Sequence, residues 1–276
     1  MKIVRWLAGS CLLLLPGCAH LPPALPPAAP AELPAAWLDA LRAASCTPSL
    51  KANLRCRVTG EQASPITLDG TFAAWGGDSL QVNGSYGPFR PIFALAADRD
   101  SVELLVHEER RYWVVSRRTI DWEHFNPAAW AQALAWSLCP RDLFSQFEAK
   151  DRGRMEGELW RVEGKLPSVG YDVKLAIDIR HAWLAGIELS SGEGPVLVAR
   201  LLYPTQVGAG WVPGRVDLQM GRIGPSLQVE ILNAGPLESA PRTLAARTRP
   251  DGWRPVGREG MPLALPPPGK RLPVPR

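Results

Sequence analysis

The feature that most restricts the fold of this chain is the alternation of apolar and polar residues in several segments. In residues 171–179 every second position is apolar and most positions between them are charged. The same period of two recurs in residues 54–58, 216–220 and 227–231. Such alternation is typical of antiparallel strands with one apolar face and one face in water. We count about ten predicted strands, and their apolar faces have to be covered.

Two helical segments interrupt the strand pattern. Residues 35–44 predict an N-terminal helix, because their apolar residues share one face. A central segment of about twenty residues begins with Asn126 as N-cap and Pro127 at the first helical position, and Pro140 divides it into two helices. The apolar residues that recur at helical spacing in the central segment are Trp130, Leu134, Leu138 and Phe144.

Two architectures cover the apolar faces of about ten strands. One is a sandwich of two sheets, and the other is a strongly curled sheet wrapped around the helices. In a curled sheet that the helices fill incompletely, the central helices and the strand residues Val173, Leu175 and Ile177 would line an apolar cavity. In a fully packed sheet the same residues form an ordinary core.

The N-terminus has the pattern of a secretory signal. A short basic region is followed by an apolar stretch that is densest at residues 11–15 and is too short to span a bilayer. The next residues, Leu15-Pro16-Gly17-Cys18, resemble the lipobox of bacterial lipoproteins. The resemblance implies cleavage before Cys18 and acylation of its thiol. The alternatives are an ordinary signal cleaved near Ala19 and an N-terminal anchor helix.

These patterns divide the chain into four parts. Residues 1–17 are predicted to be the signal peptide, and residues 18–34 a lipidated cysteine with a semi-rigid Pro/Ala-rich spacer. Residues 35–253 form the predicted globular domain. Residues 254–276 are rich in proline and are predicted to be a disordered tail.

The sequence offers little support for catalysis or nucleic-acid binding. The net charge of +4 is modest and the basic residues are scattered, so no basic stripe is formed. His107-Glu108-Glu109 lacks the second histidine of a metalloprotease helix, and no Gly-x-Ser-x-Gly motif occurs. The group Asp121, Glu123 and His124 is better explained as a helix entry than as a metal site. We therefore expect no enzyme, cofactor or metal.

The cysteines leave one pairing open. With Cys18 acylated, the mature chain retains Cys46, Cys56 and Cys139, and an odd number leaves one thiol free or intermolecular. Cys46 and Cys56 are near neighbours in the sequence and are candidates for a disulfide. A free pair is the alternative.

The order of these elements resembles the LolA/LolB-like group of envelope proteins. The local likeness lies in residues 80–89, 91–95 and 102–106, then in the helix 127–138, and later in the pair 183–189 and 197–203, which is followed by residues 211–216. The resemblance implies a mainly β (α+β) fold. It would be a curled antiparallel half-barrel of about ten strands with an N-terminal helix and a central helical lid over an apolar cavity for acyl chains. It also implies a membrane-facing turn that presents Tyr86 and Phe89, although Phe89 is equally explained by packing under the sheet.

Two functions fit this sequence. The first is an outer-membrane lipoprotein, facing the periplasm, whose cavity binds acyl chains of lipoproteins or lipids during their transfer. Ala19 after the cysteine implies the outer membrane by resemblance, and a periplasmic carrier protein is an expected partner. The second is a structural or interaction lipoprotein that serves an envelope assembly or secretion system and has a filled core.

Overall fold

The computed structural model describes residues 49–60, 65–75, 79–87, 90–117, 120, 122, 127–150, 153–167, 169–208, 210–221, 224–238 and 252–255. The predicted signal peptide, Cys18, the spacer, the helix at 35–44 and nearly all of the predicted tail lie outside these residues. Phe89 and the group Asp121, Glu123 and His124 lie outside them too.

The described part of the chain contains fifteen strands and two helices. The first six strands are β1 (Ser49–Thr59), β2 (Ile66–Trp75), β3 (Ser79–Tyr86), β4 (Arg90–Ala97), β5 (Ser101–Val106) and β6 (Arg111–Ser116). The helices α1 (Pro127–Leu138) and α2 (Arg141–Gln146) follow. The remaining strands are β7 (Glu148–Ala149), β8 (Arg154–Glu156), β9 (Leu159–Leu166), β10 (Tyr171–Asp178), β11 (Trp183–Ser191), β12 (Gly194–Val207), β13 (Gly210–Met220), β14 (Ser226–Pro236) and β15 (Arg254–Pro255).

All of these strands belong to one open, curled sheet. Its order is β15-β6-β5-β4-β3-β2-β1-β14-β13-β12-β11-β10-β9-β7, and β8 also pairs with β9. Neighbours are antiparallel throughout, except that β15 runs parallel to β6. Strands β1 and β14 pair with each other. This pairing joins the first half of the sheet, β1 to β6, to the second half, β9 to β14.

The alternation in the sequence becomes two distinct faces of this sheet. In β1 the side chains of Leu50, Ala52 and Leu54 are buried, whereas Lys51 and Asn53 between them are exposed. We call the buried face, which packs against the helices, the inner face, and the opposite one the outer face. The mainly β half-barrel predicted from the sequence and the resemblance is therefore confirmed.

Helix α1 covers the inner face and is itself apolar on nearly all sides. A helix with this pattern has to be buried all round. It contacts β5 in the first half of the sheet and β12 and β13 in the second half. Beyond α2, Phe147 packs directly on β9 at Gly164, where a Cβ would lie 2.5 Å from the Phe147 ring.

The strand count differs from the prediction of about ten. Three of the additional strands, β7, β8 and β15, contain only two or three residues and carry no periodic signal. The fourth, β9, does alternate, with Trp160, Val162 and Leu166 buried, and we overlooked it because it lies beside the helical segment. Strand β15 shows that the first two residues of the predicted tail pair with the sheet.

The end of the described chain also packs on the outer face. Trp253 covers a small apolar cluster formed by Ala94, Ala96 and Leu105. Its ring meets His107 edge-on with centroids 5.3 Å apart, and the amide of Arg254 donates to the carbonyl of Arg110 at 3.0 Å. Burial lowers the pKa of His107 below its usual value of 6.5.

The contact between His107 and Trp253 predicts that acid weakens the packing of the end of the described chain on the outer face. Below pH 6.5 the unfolded chain takes up a proton at His107 more readily than the folded chain, so this contribution to stability is present above pH 6.5 and is lost as the pH falls. We expect His107→Gln to reduce the fall in melting temperature between neutral and acidic pH. His181→Gln is the matched control, and an equal effect of both variants would contradict the assignment to His107.

The structure shows which of the two described cysteines is free and which is disulfide-bonded. Cys56 is a free thiol on the inner face of β1, so the candidate bridge between Cys46 and Cys56 is excluded. Cys139, directly after α1, is disulfide-bonded, and its partner lies outside the described residues. Burial, and secondly the carboxylate of Asp69, raise the pKa of the Cys56 thiol to about 12.

The disulfide of Cys139 should stabilise the end of α1. A native disulfide contributes roughly 2–4 kcal/mol, largely by restricting the unfolded chain. We expect Cys139→Ser to lower the free energy of unfolding by about that amount. Chemical denaturation with and without reductant measures this: reductant should destabilise the wild type and the control Cys56→Ala alike, and should leave Cys139→Ser unchanged. A wild-type chain insensitive to reductant would contradict the prediction.

Candidate functional site

The predicted cavity residues come together on the inner face of the sheet. Leu134, Leu138, Phe144, Val173, Leu175 and Ile177 all belong to one buried cluster, and Trp130 is half-buried against it. Leu134 is the most exposed of the six buried side chains at 5 %. The helical and strand residues proposed from separate patterns therefore share one site. Their binding of acyl chains stays a prediction.

Two polar side chains of α1 are buried and both have partners. The hydroxyl of Ser137 donates to the carbonyl of Ala133 one turn earlier at 2.8 Å. The side-chain carbonyl of Gln132 accepts a hydrogen bond from the Arg117 guanidinium. Arg117 also donates to the carbonyl of Asp98 at 2.9 Å. Gln132 and Arg117 thus connect the middle of α1 to the end of β6 and the β4–β5 turn.

Two buried indole groups lack such partners. Trp122 stacks on Trp136 of α1 with ring centroids 5.3 Å apart and planes 10° from parallel. The ring nitrogens of Trp122 and of Trp113 are buried and have no hydrogen-bond acceptor within the described part of the chain. An unpaired buried donor costs free energy, and a ligand with an acceptor atom would recover it.

The predicted membrane-facing turn is described only in part. Tyr86, at the end of β3, is 42 % exposed, and Phe89 lies outside the described residues. Phe93 from β4 covers Gly84, where a Cβ would lie 2.2 Å from its ring. The turn therefore presents one aromatic side chain to solvent beside one that is held against the strand.

Two grooves on the outer face were missed by the sequence analysis. One, of about 610 Å³, is lined by residues of β1, β2, β3 and β14, among them Asn53, Thr71 and Asn83. The other, of about 340 Å³, includes Arg57, Arg200, Arg215 and Asp217. In the sequence, each strand contributes only isolated polar residues to the outer face. The grooves form when strands that are distant in the sequence pair in the sheet.

The groove that includes Arg57, Arg200 and Arg215, which we call the basic groove, contains an ion pair. The Arg215 guanidinium donates to the two carboxylate oxygens of Asp217 at 2.8 and 3.0 Å, and this raises the pKa of Arg215. Across the strands, Arg57 faces Gln228, Gln228 faces Asp217, and Asp217 faces Arg200. The two outer arginines therefore flank a central pair of polar residues.

The described residues contain no set of three or more His, Cys, Asp or Glu side chains placed to hold a metal ion. Cys56 is a poor nucleophile because its raised pKa keeps the thiol protonated at neutral pH. Neither helix in the described part of the chain has the length and apolar character needed to cross a membrane.

Comparison with known proteins identifies the fold through structures alone. No protein-family model and no curated protein matches the sequence. A LolA superfamily protein from Nitrosomonas europaea is similar, with a TM-score of 0.56 and 11% identity, over 75% of this chain and 94% of that one. A putative outer membrane lipoprotein-sorting protein domain from Vibrio parahaemolyticus also has a TM-score of 0.56 and 11% identity, over 75% and 93% of the two chains.

A third similar structure is a DUF1329 family protein from Desulfovibrio piger. It has a TM-score of 0.54 and 6% identity, over 75% of this chain and 92% of that one. At these identities the likeness concerns the fold. The predicted resemblance to the LolA/LolB-like group is confirmed at that level.

The contact between Arg117 and Gln132 can be tested by a double-mutant cycle. Arg117→Met leaves the buried Gln132 amide without this donor, which should lower the free energy of unfolding by roughly 1–3 kcal/mol. Gln132→Leu alone should also destabilise, whereas the double variant should lose less than the sum. Urea denaturation gives all four values, and strictly additive losses would show that the two side chains do not stabilise each other.

Proposed function

We propose that this protein is an outer-membrane lipoprotein, anchored through Cys18 and facing the periplasm, whose inner face binds acyl chains of lipoproteins or lipids during their transfer. The LolA-superfamily fold supports this class of function. A periplasmic carrier that delivers the acyl chains is the proposed partner. No nucleic acid, cofactor or catalytic step is part of the proposal.

The observation that carries the proposal is an apolar helix packed on the inner face of an open sheet. Helix α1 fills the inner face, yet it contacts the two halves of the sheet through side chains and is not hydrogen-bonded into the sheet as a strand would be. An acyl chain that displaces part of α1 would replace one apolar surface by another. Burial of apolar area contributes about 25 cal/mol per Å², whichever group provides the area.

The unpaired indoles support a ligand that is more than a hydrocarbon. The ester carbonyl of a lipid or of a lipidated cysteine is a hydrogen-bond acceptor at the head of an apolar chain. Trp122 provides such a donor inside the inner cluster, and Trp113 provides a second buried donor on β6. The proposed arrangement places the ester near these indoles and the chain along the strand residues of β10.

The second candidate function is an interaction lipoprotein of an envelope assembly. Its support is the close packing of the inner cluster, in which Phe144 and Val173 have no exposed area. In that case α1 is a permanent part of the core and a partner protein binds the outer face.

Photo-crosslinking in cells distinguishes the two functions. We replace Trp130, which is half-buried beside the inner cluster, by the aromatic crosslinker p-benzoylphenylalanine. Val114, on the exposed outer side of β6, receives the same group as a matched control. We expect acyl-bearing adducts from position 130 and none from position 114, and Leu134→Trp should reduce them because the added bulk occupies space on the inner face that an acyl chain would take.

A different pattern of adducts would contradict the acyl-binding function. Protein adducts from position 114, together with no acyl-bearing adduct from position 130, would exclude the acyl-binding function and support the interaction lipoprotein. Thermal melting of each variant shows that the crosslinker leaves the fold intact.

A further inference from the structure

The hairpin formed by β12 and β13 carries a long segment without charge. Residues 201–214 contain no Asp, Glu, Lys, Arg or His, although 21% of the chain is charged. Arg200 precedes this segment and Arg215 follows it. The segment includes both strand ends and the turn of the hairpin, with Val207 paired to Gly210. A solvated hairpin of this length ordinarily carries charged residues.

The hairpin presents an aromatic side chain to solvent. Tyr203 is 70 % exposed, more than any other large apolar or aromatic side chain of the described residues. Its φ of 57° lies in the left-handed region, which is unfavourable for a residue with a side chain. Gly214 lies opposite, where a Cβ would come within 2.9 Å of the Tyr203 carbonyl oxygen. The backbone thus holds Tyr203 outward at a conformational cost.

The hairpin is held firmly to the rest of the sheet. Val207 and Val212 are buried near its tip. Trp211 meets His181 of the β10–β11 turn edge-on, with ring centroids 5.5 Å apart. An exposed aromatic group on a braced hairpin loses little conformational freedom when it binds a surface.

The register places this hairpin at the end of the sheet where the chain enters. Leu50 at the start of β1 pairs with Pro236 at the end of β14. The end of β14 lies toward the start of β13, since Glu230 pairs with Arg215. The start of β13 and the end of β12 form the hairpin turn. The segment that leads back to Cys18 therefore joins the sheet at the same end as the hairpin turn, and Tyr86 lies at the opposite end.

We propose that the tip of this hairpin, residues 203–212, inserts into the interfacial layer of the phospholipid bilayer that holds the acylated Cys18. The inference rests on the lipid anchor of the proposed function. Tyrosine suits this layer because its ring is apolar and its hydroxyl is polar. Arg200, and Arg215 with its partner Asp217, lie at the base of the hairpin and outside the inserted tip.

Depth-dependent fluorescence quenching tests the insertion. The full-length lipoprotein, reconstituted into vesicles of phosphatidylethanolamine and phosphatidylglycerol, carries an NBD label on Thr205→Cys at the exposed hairpin. Glu193→Cys, on the exposed β11–β12 turn at the opposite end, is the matched position. The unsubstituted chain, treated in the same way, measures background labelling. For a hairpin that lies 5–10 Å deep we expect quenching by spin-labelled lipid to be at least about five times stronger at 205 than at 193.

The contribution of Tyr203 is tested on the same labelled position. Tyr203→Asn removes the aromatic ring but tolerates the left-handed backbone, so the fold is preserved and quenching at 205 should fall at least about threefold. Tyr203→Trp should retain the quenching at 205. Tyr86→Asn is the control at the other end and should leave quenching at 205 unchanged. Loss of quenching in Tyr86→Asn and not in Tyr203→Asn would overturn the proposal.

A second arm separates this inference from the lipid anchor. A chain with Cys18→Ala and a hexahistidine tag at that end is tethered to vesicles that contain a nickel-chelating lipid. Quenching at position 205 in this arm supports insertion of the hairpin. Failure of the untagged chain with Cys18 to bind vesicles would count only against acylation of Cys18. Equal quenching at 205 and 193 in both arms would overturn the hairpin proposal whatever the state of Cys18.

Discussion

The structure depends on covering the inner face of one open sheet. The strands of the described residues place their apolar side chains on that face, and this part of the chain contains no second sheet that could pack against it. Helix α1 meets this requirement because it is apolar on almost every side and reaches both halves of the sheet. The core residues are therefore the same residues that would form the proposed site for acyl chains.

The edges of the sheet are also covered, by very short strands. β7 and β8 pair with the free side of β9, and β15 pairs with the free side of β6. Unpaired strand edges are templates for association with other chains, and short or covered edges reduce that risk. Surfaces for specific contact are left on the outer face and at the β12–β13 hairpin, where the grooves and Tyr203 lie.

The candidate site was predicted to a different degree in its different parts. Leu134, Phe144 and Val173 were found because burial follows from periodicity, which is a local property of the sequence. The basic groove was not found, since Arg57 and Arg200 come from strands that are 143 positions apart in the chain (200 − 57) and meet only through sheet pairing. Tyr203 was not singled out either, because its exposure accompanies a left-handed backbone conformation that periodicity does not reveal.

The sequence by itself determined most of the long elements and their faces. Alternating strands, a central helix that begins at Pro127, and the residues that would be buried all follow from local spacing. Only the tertiary structure decided which strands are neighbours, which end of the sheet carries the hairpin, and that Cys56 is free while Cys139 is bonded. The physical reason is that side-chain period is encoded residue by residue, whereas strand order and proximity depend on the folding of the whole chain around one apolar core.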